Sequence, residues 1–170
     1  QDSIHINLDN PSSYANLKLT TFSIGGSYNT TNLKTTAESA STQRTALDYL
    51  AVGLPVTKKI GVGFGLIPYS SVGYKIESIA ADATQNSSRF SGKGGLNKVF
   101  FGVGYKISSK WSFGADAQYS FGKIETNSLE FITGIPVGTR ESNNTAITGV
   151  HFNTGLMFQT KLKSKLNFYS

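Results

Sequence analysis

Cysteine is absent from the 170 residues. That excludes a disulfide framework and any thiolate metal site. Histidine occurs twice, at His5 and His151, far apart and without a carboxylate-rich neighbourhood. No metal centre is expected from that pattern. Charge is scarce: Asp, Glu, Lys and Arg make up 15% of the chain, where a soluble globular domain carries about 25%. No stretch approaches the roughly 18 consecutive apolar residues of a membrane helix. Nor is there a phosphate-binding loop. Gly92-Lys93-Gly94-Gly95 lacks the glycine-to-lysine spacing, and no helix pattern follows it.

What is present is alternation. From Val99 onward, Phe101, Val103, Tyr105 and Ile107 occupy every second position, with Phe100, Gly102, Gly104 and Lys106 between them. After Ser108-Ser109-Lys110, the set Trp111, Phe113, Ala115, Ala117, Tyr119, Phe121 alternates with Ser112, Gly114, Asp116, Gln118, Ser120, Gly122. A period of two is a β-strand, because successive side chains leave opposite faces of the pleat. Two such strands across a short break form an antiparallel hairpin. One face is apolar with aromatics near its ends; the other is glycine and polar groups. In an outer-membrane barrel the first face meets lipid and the second lines the lumen. The strand lengths suit tilted membrane strands of about 9–11 residues.

Further strands follow the same rule. Leu50, Val52, Leu54 and Val56 oppose Tyr49, Ala51 and Gly53; Ile60, Val62, Phe64 and Leu66 alternate with Gly61, Gly63 and Gly65. Three alternate glycines leave a face without side chains, open to close approach by another backbone or a ligand. Pro68 interrupts this third strand and implies either a kink over 65–71 or two strands joined by a turn. Val150, Phe152, Leu156, Phe158 and Leu162 share one face of a later strand, opposite His151, Asn153, Met157 and Gln159. Residues 17–28 alternate weakly, with Gly25-Gly26 able to bend the backbone. Short turns fall at 57–59, 108–110 and 163–165. Long polar connections fall near 29–45, 77–96 and 123–145, and Asn86-Ser87-Ser88 and Asn143-Asn144-Thr145 are read as loop residues there. Alternating short and long connections are a mark of outer-membrane barrels.

The chain thus reads as all-β: an antiparallel transmembrane β-barrel with about eight strands, part of a larger barrel, in the bacterial outer membrane. Residues 1–16 form a lead-in or hatch remnant and 17–170 the barrel. The net charge of +6 does not mark a nucleic-acid binder, because the lysines gather at turns (Lys58, Lys59, Lys110, Lys163, Lys165) as a solvated or headgroup-facing rim. Asp48, Asp116, Gln118, His151 and Asn153 are placed on lumen faces. Tyr105, Trp111, Tyr119 and Phe121 are placed in the interfacial aromatic belts. His151 and Asn153 share a face, but no serine is singled out as a nucleophile, so no enzyme, catalytic residue or cofactor is expected.

Three segments bear a likeness to one known family, the third being Phe101 to Tyr119, which looks like a later hairpin of it. Asn10-Pro11-Ser12-Ser13-Tyr14-Ala15 followed by Phe22-Ser23-Ile24-Gly25-Gly26-Ser27-Tyr28 resembles the start of FadL/TodX-type outer-membrane transporters, in the style of Bacteroidetes members. The run Ile60-Gly61-Val62-Gly63-Phe64-Gly65 with Pro68-Tyr69-Ser70-Ser71-Val72-Gly73 is similar to that family's third strand. The resemblance implies a fourteen-stranded barrel that takes up hydrophobic small molecules such as long-chain fatty acids. Asn10 and Pro11 would be the hatch element, and Gly65, Pro68, Tyr69, Ser70 and Ser71 the lateral exit in a kinked third strand. Ser12 departs from the family's alanine. The partners implied are outer-membrane lipid and a hydrophobic ligand. The competing readings are a non-transporting accessory barrel with envelope protein partners, and a soluble lipocalin-like barrel.

Overall fold

The computed structural model describes residues 6–34, 39–80, 82, 85–132, 137–161 and 167–169. A 3-10 helix, Pro11–Asn16, is followed by β1 (Thr21–Lys34), β2 (Ser39–Pro55), β3 (Ile60–Ser78), β4 (Asn86–Lys106), β5 (Trp111–Ile132), β6 (Gly138–Lys161) and β7 (Asn167–Tyr169). The strands follow one another in sequence order in one antiparallel sheet. Six are long and the seventh has three residues. The expected eight strands are not confirmed: the described residues show seven, and residues 123–132 and 138–145, expected as part of a long connection, belong to β5 and β6. Among the described residues the sheet is not closed on itself. No helix among the described residues is long and apolar enough to cross a membrane.

Burial follows the alternation but inverts the soluble pattern. On β5, Ser112, Gly114 and Asp116 are buried while Trp111, Phe113 and Ala115 are exposed. Val103 is 39% exposed, Phe113 42% and Phe152 80%. Greasy residues look outward along every well-patterned strand. An exposed apolar surface of this extent is foreign to a soluble monomer.

The long polar connections of the sequence reading are also corrected. β1 and β2 pair from Thr21↔Gly53 out to Lys34↔Ser39. The two sequon segments lie inside β4 and β6. The physical reason is visible in the exposure: residues 138–148 of β6 are exposed at every position. Where both faces of a strand meet water, no alternation is needed, and Thr-rich, Ser-rich and Asn-rich sequence still satisfies its backbone in the ladder. Strands of 14 to 24 residues exceed the roughly 9–11 that a bilayer crossing needs. Pro68 does not divide β3 either, which runs unbroken through it. Gly25-Gly26 does perturb the sheet: the register with β2 slips there, leaving Asp48 without an opposite residue. The turn expected at 163–165 lies outside the described residues, as does His5.

The chain forms two compact units. One comprises residues 1–67, 99–119 and 150–170; the other comprises 68–98 and 120–149. The apolar core belongs to the first: Tyr14, Leu17, Ala51 and Phe100, with Ile6, Leu8, Tyr49 and Ile67 against it. It is small because most apolar side chains of this unit point away from it.

Candidate functional site

The feature most unlike an ordinary sheet is the filling of its inner face. Asn10 caps the 3-10 helix: its side-chain oxygen accepts from the Ser12 backbone N–H at 3.1 Å and the Ser12 hydroxyl at 2.6 Å. Proline at the first helical position fits because its missing N–H would be unpaired there anyway. Pro11, Ser12, Ser13, Tyr14 and Ala15 are all buried. The segment lies directly on strand backbone. A side chain at Gly61 would overlap the Tyr14 carbonyl, and one at Gly114 would overlap the Pro11–Ser12 peptide. The Tyr14 ring packs over Gly63 and Gly102, where an added Cβ would come within 2.9 and 2.8 Å of it. Glycine here is a requirement of close approach.

Polar side chains tie the segment down. Asn10 Nδ2 donates to the Leu156 carbonyl at 3.3 Å, and Asn153 Nδ2 donates to the Asp9 carbonyl at 3.3 Å. Asn153 Nδ2 also donates to Asp116 Oδ2 at 3.2 Å, while Gln118 Nε2 donates to Asp116 Oδ1 at 2.7 Å. Asp116 is 5% exposed. Tyr14 is wholly buried and its hydroxyl has no hydrogen-bond partner among the described residues. Burial first, then the nearby Asp116 and Asp9 carboxylates, push its phenol well above the ordinary value of 10.0.

Of the lumen residues anticipated from the sequence, Asp116, Gln118 and Asn153 come together. Asp48 and His151 do not join them. Both are exposed, and Asp48 accepts from the Ser27 hydroxyl at 2.8 Å instead. The hatch element Asn10–Pro11 is the start of the inner-face segment. Tyr105, Trp111 and Tyr119 are 45%, 47% and 44% exposed on the outward face, and Trp111 packs on Phe158 with ring centroids 4.8 Å apart. Phe121 is half-buried.

Of the residues assigned to a lateral exit, Gly65 lies in the first unit and Pro68, Tyr69, Ser70 and Ser71 in the second. Gly65, in the first unit, is covered by the Leu50 carbonyl and the Phe100 ring. In the second unit, Lys98 stands over the Tyr69 ring at 4.9 Å, and the Ser70 carbonyl faces Gly95. Pro68 is half-buried and Ser71 exposed. Sequence reasoning did not single out Tyr14 or Gly114. The signal available for them was the glycine periodicity, which announced a close approach without saying by what. Among the described residues, no group of His, Cys, Asp and Glu is placed to hold a metal ion.

A family model described as BamG matches residues 1–170. No curated protein and no solved structure gives a match. The resemblance to FadL/TodX-type transporters is thereby corrected: the matching family is that of a BAM complex accessory subunit. The short segments behind that resemblance carry little information, since glycine-aromatic alternation recurs in any outward-apolar strand. The hydrophobic ligand and the transport activity that came with it have no support from the match.

Proposed function

This chain belongs to the BamG family and resides in the outer membrane, and from that premise we propose that it is a non-catalytic, non-transporting accessory subunit of the BAM assembly machinery. The observation that carries the reading is the family match over residues 1–170. In it, the sheet is the wall of a transmembrane β-barrel, with the outward rows of β3 to β6 in acyl chains and the inner face in the lumen. The segment Pro11–Asn16 acts as a fixed filling. Its backbone seats directly on strand glycines, which supports a structural role over a solute path. The partners are the envelope proteins of the complex. The strand extensions beyond the apolar rows, polar and exposed, supply surface for them.

The test is affinity purification of the tagged chain after mild detergent extraction, together with its depletion in cells. The expected result is co-elution with the other BAM subunits in fixed proportion, and a fall in assembled outer-membrane proteins on depletion. A chain that elutes alone, and whose depletion leaves the outer-membrane protein profile unchanged, would overturn the proposal.

A further inference from the structure

We propose that the short-turn rim of the sheet binds the phosphate groups of anionic phospholipid headgroups and thereby fixes the depth of the protein in the inner leaflet. The inference rests on the membrane-spanning reading above and adds a ligand to it. Lys58 and Lys59 lie in the β2–β3 turn, Lys106 ends β4, and Lys110 lies in the β4–β5 turn. Lys58, Lys59 and Lys110 are exposed and Lys106 is half-buried.

Backbone bonds gather these residues into one arc. Thr57 N–H donates to the Ile60 carbonyl at 2.9 Å and closes the first turn. Lys106 N–H donates to the Lys59 carbonyl at 2.8 Å, and Ser108 N–H to the Trp111 carbonyl at 3.1 Å. Gln159 N–H donates to the Lys110 carbonyl at 2.8 Å, so the arc continues to β6.

The strand ends that make this arc carry no acidic residue. No Asp or Glu occurs in 17–24, 53–62, 103–111 or 154–161. The ion pairs seen among the described residues, Arg89–Glu77, Lys93–Glu125 and Lys123–Glu125, all involve other lysines and arginines. Apolar side chains are interleaved with the ammonium groups: Leu19, Val56, Ile107 and Trp111 are 62%, 58%, 56% and 47% exposed. Val56, Ile107 and Trp111 continue the outward apolar rows. The level that presents lysine is therefore the border of the hydrocarbon, where a lysine stem lies along the apolar surface and its head reaches phosphate. Short turns of such barrels face the periplasm, and so the inner leaflet. An acidic protein surface would meet the same charge, but it would not account for the outward apolar residues between the lysines.

The test uses the full chain, delipidated in neutral detergent and then exposed to mixed micelles of phosphatidylglycerol and phosphatidylcholine, with retained lipid quantified. The wild type is expected to retain phosphatidylglycerol several-fold over phosphatidylcholine, with the preference fading at high salt. Combined Lys58→Gln, Lys59→Gln, Lys106→Gln and Lys110→Gln should abolish the preference. Combined Lys93→Gln, Lys98→Gln and Lys123→Gln should leave it intact. Single Lys58→Gln and Lys110→Gln variants, checked for wild-type resistance to thermal unfolding, should give graded losses. Equal retention of both lipids by the wild type overturns the inference, as does an unchanged preference in the rim variant. A rim variant that keeps its lipid preference but no longer co-elutes with BAM subunits also overturns it, and assigns the rim to a protein. Failure of the wild type to insert into vesicles of either lipid would strike the membrane-spanning reading itself, a separate result.

Discussion

The two compact units hold strands of one sheet by different means. In the unit of residues 1–67, 99–119 and 150–170, the inner face is filled by peptide backbone, and the fit depends on the absence of side chains at Gly61 and Gly114. In the unit of 68–98 and 120–149, partly exposed ion pairs lie between the strands of the backbone ladder. Arg89 pairs with Glu77 and lies over the Phe131 ring, 5.8 Å from its centroid. Lys93 and Lys123 both reach Glu125, at 3.0 and 2.9 Å. Close packing tolerates almost no change in volume, whereas exposed pairs contribute little and adapt easily. Substitution at Gly61 or Gly114 of the first unit should thus be costly, and loss of an exposed ion pair of the second mild.

The largest effect is expected from Gly114→Val, whose side chain has only main chain to displace. Loss of about 3 kcal/mol or more, with the Pro11–Asn16 segment becoming open to protease, is anticipated from overpacking against a backbone that cannot move aside. Thermal unfolding in detergent, alongside limited proteolysis, measures both. The counterpart in the second unit is Gly73→Ala, where an added Cβ meets nothing within 4 Å. Its unfolding midpoint should match the wild type.

Asp116→Ala comes next. It removes the acceptor of both Gln118 and Asn153 and leaves two amide donors without that partner, a cost of about 1–3 kcal/mol. Denaturant titration should show it, and Asp116→Asn should recover part of the loss.

Tyr14→Phe tests the filling from the opposite direction. The hydroxyl is buried and unpartnered among the described residues, so its removal should stabilise by about 1 kcal/mol. It should also alter the alkaline limb of stability. An unfolded chain ionises Tyr14 near 10.0, while the folded chain holds the proton to higher pH. Above 10.0 the unfolded state therefore binds fewer protons, and stability falls as pH rises. Tyr14→Phe should flatten that decline in a series of unfolding curves. A wild-type slope retained in the variant would mean that other tyrosines cause it.

The smallest effect belongs to the second unit. Arg89→Ala removes an ion pair whose side chains are 44% and 36% exposed, along with a ring contact. About 1 kcal/mol or less is expected, diminished further by salt. A loss as large as that of Gly114→Val would erase the contrast between the units.

Much of the fold was legible because it follows from parity. A residue two positions from an outward Phe is itself outward, so Val99 to Tyr105 and Trp111 to Tyr119 could be assigned to faces directly. The breaks in the pattern were less legible. Strand segments with water on both faces carry no alternation, so 138–145 of β6 read as loop. The slip at Gly25-Gly26 altered the pairing around Asp48, which local periodicity does not reveal.

The site was legible only in its parts. Asp116 and Asn153 were expected on inward faces, but their hydrogen bond spans 37 residues, and nothing local to either one names the other. Alternation along the chain, set by the pleat itself, determined which side chains look out and which look in. Tertiary structure alone decided what occupies the inner face, because whether Gly61 and Gly114 receive a ligand, water or the chain's own Pro11–Asn16 depends on where a distant segment comes to rest.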